Sequence, residues 1–323
     1  MKRFAIPILF AAVAPTLPAA GFAADAGYPN RPIRLINPQA AGGTSDAISR
    51  LFAEKLAIEL GQPVVVENKV GASTMIGADA VAKAAPDGYT LLTASVTTLA
   101  INPSLFAKMP YDPIKDFEPV SVMAENPYYL MASPMLPANN VQELIKLAKS
   151  QPGKLNYASP GTGTSPQLVG ALLASMAGIQ VVHVPYKGTS TAEVDMAAGR
   201  VQFMFSGSGL PTIKAGRAKA LGYTGATRSA EMPDLPTVAE QGLPGFEAAV
   251  WNGLVAPAGT PPAIVDRLAK AISKIARMPD VRERMASYSA VAVGNTPEEF
   301  AALIRRDTQK WGDIIRKTGV RLD

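Results

Sequence analysis

Short apolar runs alternate along this chain with longer stretches in which apolar residues recur every three or four positions. The first run, Ile33–Asn37, reads as a buried strand. It passes through Pro38–Ser45 into Asp46–Leu60, where Ile48, Leu51, Phe52 and Leu56 share one helical face. Gly61 ends that helix as a C-cap, Pro63 follows, and Val64–Asn68 is the next strand. Gly71–Ala85 contains a helix stopped by the turn Pro86-Asp87-Gly88, and Tyr89–Ala94 is a third strand that exits into a small polar loop, Ser95–Thr98. Pro119–Ala124 and Tyr128–Ala132 are extended, with Asn126-Pro127 between them. Asn140, with Glu143 three residues on, starts a helix at Val141. The opening pattern then recurs: strand Leu155–Ser159, loop Pro160–Ser165, and a helix from Pro166. Strands at Gln180–Val184, Val201–Phe205 and Ala218–Thr224 follow, the first two leaving through the small polar turns Pro185–Ser190 and Ser206–Gly209. Phe246–Val255 is extended. Three helices close the chain: one capped by Thr260 with Pro261 in first position, a short one over Asp280–Ser287, and one running from the capping box Thr296-Pro-Glu-Glu299 to about Lys317.

Strands alternating with helices predict an α/β chain with mainly parallel sheets flanked by helices. The recurrence of strand–loop–helix points to two lobes, one crossing at Asn126-Pro127 and a return over Phe246–Val255. The expected division is 27–125 with 250–323 as one lobe and 126–249 as the other.

The two loops carry the candidate chemistry. A helix N-terminus leaves backbone N–H groups unpaired and carries positive partial charge, and glycine lets a ligand approach that backbone. Two such ends facing one cleft suit an anion such as a carboxylate. One hydroxyl per loop is accounted for as an N-cap, Thr44 or Ser45 in the first and Ser165 in the second. That leaves Ala40, Ala41, Gly42 and Gly43, and then Gly161, Thr162, Gly163 and Thr164, as candidate ligand contacts. A micromolar binder needs about 8 kcal/mol net. Hydrogen bonds to a charged group contribute roughly 1.5–3 kcal/mol each, so several N–H and hydroxyl donors reach that sum without an arginine.

Composition narrows the classes. The chain has 323 residues, 48% of them hydrophobic and 18% charged, which supports an ordered protein with a substantial core. Lys2, Arg3, an apolar stretch from Phe4 to Pro18 and small residues up to Ala26 form a secretory signal peptide, expected to occupy 1–24, so the mature protein is expected in the periplasm. Its removal takes two positive charges from a formal +5. The scattered remainder, without basic runs interleaved with aromatics, argues against nucleic acid. Absence of cysteine and a single histidine, His183, argue against a zinc site and a cysteine nucleophile. Gly161-x-Gly163 lacks the rest of a dinucleotide loop, and Lys187-Gly-Thr189 lacks the glycines of a phosphate loop, so no cofactor and no metal are expected. A serine hydrolase pairing Ser208 or Ser165 with His183 lacks a nucleophile elbow, and His183 reads as structural. Trp251 falls on the return between lobes, as hinge core or as pocket wall.

Several motifs occur in order: Tyr28-Pro-Asn-Arg-Pro-Ile-Arg-Leu-Ile36, Ala40-Ala-Gly-Gly-Thr-Ser-Asp46, Gly61-Gln-Pro-Val-Val-Val-Glu-Asn68, Ala85-Pro-Asp-Gly-Tyr-Thr-Leu-Leu92, Tyr111-Asp-Pro-Ile-Lys-Asp-Phe117, Val184-Pro-Tyr-Lys-Gly188 and Pro257-Ala-Gly-Thr-Pro-Pro262. Together they resemble the substrate-binding receptors of tripartite tricarboxylate transporters, the Bug family, over essentially the whole mature chain. The resemblance implies a two-lobed periplasmic binding protein, usually a monomer and not an enzyme, that closes on a small organic carboxylate. The ligand is expected to be a di- or tricarboxylate or an aromatic acid, passed to membrane permease subunits. Presentation of the ligand to a sensor kinase is the alternative use. It also implies that the loops Ala40–Ser45 and Gly161–Ser165 hold the carboxylate through N–H groups and water, while Ser95, Thr97, Thr98, Tyr186 and Ser206 wall the rest of the ligand. The chain departs from the family pattern at Gln39, where an aromatic or aliphatic residue is common, and at Ser206, where many members have Asp. Both are candidate specificity positions, and the Ser206 departure lowers the expectation of an amino-acid ligand.

Overall fold

The computed structural model describes residues 27–320; the expected signal peptide lies outside the described residues. Two sheets with helices on their faces make two lobes. The first sheet takes β1 (Ile33–Asn37), β2 (Val64–Asn68), β3 (Thr90–Ser95), β4 (Phe117–Pro127), β10 (Ala249–Pro257) and β11 (Val291–Ala292) in the order β11-β4-β10-β3-β1-β2. The second takes β5 (Tyr129–Ala132), β6 (Asn156–Ser159), β7 (Val182–Pro185), β8 (Phe203–Ser206) and β9 (Lys219–Tyr223) in the order β7-β6-β8-β5-β9. Helices α1 (Thr44–Leu60), α2 (Met75–Ala82), α3 (Asn102–Leu105), α8 (Pro262–Ala276), α9 (Pro279–Ser287) and α10 (Pro297–Thr318) accompany the first. Helices α4 (Val141–Ser150), α5 (Ser165–Ala177), α6 (Thr189–Ala197) and α7 (Leu210–Lys214) accompany the second.

The sheets are mixed rather than mainly parallel. β1 pairs in parallel with β2 and β3, and β6 with β7 and β8. The antiparallel members are the strands that carry the chain between lobes. β4 runs out toward the second sheet and β10 runs back beside it, paired from Phe117↔Pro257 to Pro127↔Ala249. One leaves and one returns, so they must oppose each other. β5, which starts at the crossing, also runs antiparallel to its neighbours β8 and β9.

The crossover strands are held by the C-terminal helix. Trp251 on β10 is fully buried, meets Phe300 edge-on at 5.3 Å between ring centroids, and donates its indole N–H to the Asp307 carboxylate at 2.9 Å. Its side chain is therefore core beneath the crossover strands, rather than pocket wall at the cleft described below. Trp311, Ile314 and Ile315 of α10 share one continuous apolar core with Leu168, Leu172 and Leu173 of α5, so this helix packs on both lobes. α10 opens as expected, with the Thr296 hydroxyl accepting from Glu299 N–H and Glu299 reaching back to Thr296 N–H. Asn140 likewise caps α4. Thr260 does not cap α8: its hydroxyl donates to the Pro257 carbonyl at the end of β10, and Pro261 holds the cap position. The expected loop Ser95–Thr98 is also regular structure, because β3 turns directly into a π-helical segment, Thr97–Ile101.

Candidate functional site

The loops after β1 and β6 join their helices through the same two-residue turn. Each has a left-handed glycine, Gly42 at φ +79° and Gly163 at φ +78°. An extended residue follows, Gly43 or Thr164, and then the helix. Only glycine takes the left-handed position without strain. In both, a side chain in the third helical position folds back onto the glycine N–H: Asp46 accepts from Gly42 at 2.9 Å, and Gln167 accepts from Gly163 at 2.6 Å. Thr44, Ser45 and Ser165 are not the caps expected of them: Gly43 and Thr164 hold the cap positions, and neither makes a side-chain cap bond. The hydroxyls are used elsewhere. Ser45 donates to Asn37 Oδ1 at 3.4 Å, Thr164 donates to the Gly161 carbonyl at 2.7 Å, and Ser165 engages the Tyr128 phenol. Helix geometry leaves the first-turn N–H groups at Thr44, Ser45 and Ser165 without intrahelical partners.

The two ends differ in charge. Burial pushes the Asp46 carboxyl up, but Arg50, the Gly42 N–H and Asn68 pull it down harder, to about 2. Its negative charge offsets part of the α1 dipole, and Arg50 balances it. The neutral Gln167 leaves the α5 dipole unopposed.

Both ends reach a cleft of about 330 Å³ between the lobes. Gln39, Thr44 and Ser45 line it from the first lobe, Pro166 of α5 and Thr189 of α6 from the second, and the exit of β8 supplies Ser206, Gly207 and Ser208. The crossover strands add Asn126, Val250 and Asn252, and Tyr128 and Tyr288 close it. Among the described residues, no Lys, Arg, His, Asp or Glu lines this cleft. Asn252 is 2% exposed and its buried side-chain oxygen has no hydrogen-bond partner. A buried polar group in that state is costly and is satisfied by a ligand or by water. A larger hollow of about 660 Å³ lies between Pro119, α8 and the start of α10, but it includes neither loop.

Of the residues singled out from sequence, Gln39, Thr44, Ser45 and Ser206 come together in the cleft. Ala40, Ala41, Gly42 and Gly43 form the turn that leads into it, and Gly161, Thr162, Gly163, Thr164 and Ser165 stand immediately before Pro166. Ala40 and Thr97 line a neighbouring hollow at the rim with Gln39, Ser73 and Thr74. Ser95 and Thr98 are buried and bonded to each other at 3.0 Å, with Thr74 a third hydroxyl at 3.0 Å from Thr98. The Tyr186 hydroxyl donates to Asp195. His183 bonds Ser159 at 2.7 Å rather than Ser165 or Ser208, and half-burial beside Tyr157 lowers its pKa. Asn126, Tyr128, Thr189, Val250, Asn252 and Tyr288 were not anticipated as cleft residues. The available signal was an asparagine inside each apolar crossover strand, where a strand core otherwise excludes it.

Residues 48–320 match the family model described as tripartite tricarboxylate transporter family receptor. The chain is similar to protein BugT of Bordetella pertussis, 36% identical over 320 residues covering 97% of this chain and 98% of that protein. Among solved structures it is similar to Rpa4515 of R. palustris, determined with adipate: TM-score 0.72, 32% identity, 91% of this chain and 99% of that one. It is also similar to MatC of Rhodopseudomonas palustris, determined with bound malate: TM-score 0.69, 34% identity, 89% and 100%.

Proposed function

The chain belongs to the tripartite tricarboxylate transporter receptor family, a family of solute-binding receptors rather than enzymes, and we propose that it captures a small organic carboxylate in the periplasm for a membrane permease. The observation that carries this reading is the repeated turn: a left-handed glycine and an extended residue, each pair opening a helix whose first-turn N–H groups lack intrahelical partners, at one cleft that no cationic side chain lines among the described residues. In this reading residues 27–125 with 250–320 form one lobe and 126–249 the other. The carboxylate lies between Ala40–Ser45 and Gly161–Ser165, while Gln39, Ser206 and Asn252 meet the remainder of the ligand. Closure rotates the lobes about β4 and β10. The adipate and malate held by the two similar proteins fall within the class, which extends to di- and tricarboxylates and aromatic acids.

Calorimetric titration of the purified protein with a panel of organic acids tests it. One acid binds at near one-to-one stoichiometry and neutral sugars give no heat. Binding of a neutral sugar and of no acid refutes the proposal.

A further inference from the structure

Three polar side chains of the cleft wall, Ser206, Asn126 and Asn252, carry oxygens that can act as acceptors. Ser206, at the end of β8, is 2% exposed and lines the cleft. Its hydroxyl donates to Glu193 Oε1 at 3.1 Å, and the Thr212 hydroxyl on α7 donates to Oε2 of the same carboxylate at 2.7 Å. A carboxylate only accepts, and a serine has one proton, so the direction of the first bond is fixed. With that proton committed, the Ser208 hydroxyl 3.4 Å away is the donor of the pair it makes with Ser206, and Ser206 keeps a lone pair for a ligand and nothing to donate. Asn126 is in the same position. Its amide N–H₂ donates to the carbonyls of Tyr288 at 3.1 Å and Ser289 at 3.0 Å, which leaves Oδ1 as an acceptor. The buried Asn252 oxygen, without a partner, is a third acceptor in the same cleft. Glu193 places a negative charge one hydrogen bond behind this wall. Among the described residues no cation lines the cleft to offset it.

A carboxylate oxygen placed against Ser206 finds no proton there, and two acceptors facing each other leave both unpaired in a partly desolvated site. Ser206 accepts from a hydroxyl or an ammonium. We propose that Glu193, acting through Ser206, selects ligands whose carboxylate at the helix ends is accompanied by a hydrogen-bond donor at the other end. The preferred substrates are then hydroxy or amino acids rather than plain dicarboxylates of the same length. Glu193 is a positioning residue that sets the polarity of Ser206. This inference rests on the carboxylate reading above.

The test is calorimetry at pH 7 with two matched series: butanoate, 4-hydroxybutanoate, 4-aminobutanoate and succinate; and hexanoate, 6-hydroxyhexanoate, 6-aminohexanoate and adipate. In at least one series a donor-ended acid binds about tenfold or more tighter than both the dicarboxylate and the methyl-ended acid, the loss expected when a hydrogen bond is replaced by an unpaired acceptor. Whether the hydroxyl or the ammonium wins tells which donor the wall takes. Glu193→Gln removes the charge behind the wall and frees the Ser206 proton, and it narrows that preference about fivefold or more. Ser206→Ala abolishes it. A dicarboxylate that binds as tightly as its donor-ended partner in both series, or a preference that survives both substitutions in folded protein, overturns the inference while leaving the carboxylate reading intact. If none of the acids binds, the carboxylate reading itself fails and takes this inference with it.

Discussion

Glu125 lies on the crossover strand β4, opposite Trp251 of β10 and Val291 of β11, and is half-buried. Burial is the larger cause of its raised pKa, and repulsion from Glu247 and Asp307 adds to it. Arg306 and Lys310 only partly offset them, and the group moves from 4.5 to about 7. The sign of the consequence is the reverse of a salt-bridged carboxylate. The folded state holds this proton more tightly than the unfolded chain, so the stability it brings is complete below pH 4.5 and is lost as pH rises through 7. The separation corresponds to about 3 kcal/mol in full, of which about 2.5 kcal/mol falls between pH 5 and 8. Glu125→Gln keeps the shape and cannot ionise. Urea midpoints of both proteins at pH 5, 6, 7 and 8 give the difference between them free of every other titrating group. The variant should be close to the parent at pH 5 and more stable by about 2–3 kcal/mol at pH 8. A difference that stays constant with pH, or one that shrinks as pH rises, would refute the reasoning.

Other consequences are as direct. Gly163→Val forces a β-branched residue into a left-handed position; it should weaken acid binding about tenfold or more at a folding cost of roughly 1–2 kcal/mol, read by calorimetry and thermal melting. Asp46→Ala removes the acceptor for Gly42, Arg50 and Asn68. Because Asp46 is held at about 2 against an ordinary 3.8, the parent keeps about 2 kcal/mol above pH 3.8 that it loses as pH falls through 2, and acid titration of the variant should lack that decline. Trp251→Phe leaves the buried Asp307 carboxylate without its indole donor and should cost roughly 1–3 kcal/mol in urea while ligand affinity is unchanged.

Local signals carried far in this chain. The apolar runs placed every strand but the two-residue β11 to within a few residues, and the Asn140 and Thr296 caps form as their spacing indicates. The two glycine loops were legible because glycine and small hydroxyls before a helix have few other uses. Strand direction was not legible: antiparallel pairing of β4 with β10 follows from a chain that leaves one lobe and returns to it, which no local pattern encodes. The same holds for the cleft floor. Asn252 sits in an apolar run, and only the approach of the other lobe makes it part of a site. The capping roles were misread for a specific reason. The helices start one residue earlier than the hydroxyls suggested, so that Gly43 and Thr164 hold the cap positions without a side-chain cap bond, while Asp46 and Gln167 tie down the glycine N–H groups ahead of them. Ser206 shows the opposite case: its identity was noted from sequence, but its polarity depends on Glu193, thirteen residues earlier on another element.

The central claim is that one carboxylate is held jointly by the two loop ends. A crystal structure of the protein with the acid that titrates most tightly tests it most directly. The account predicts carboxylate oxygens within hydrogen-bond distance of N–H groups in both Ala40–Ser45 and Gly161–Ser165, with the lobes closed about β4 and β10. A carboxylate bound to one loop alone, or seated in the hollow beside Thr296, would contradict it.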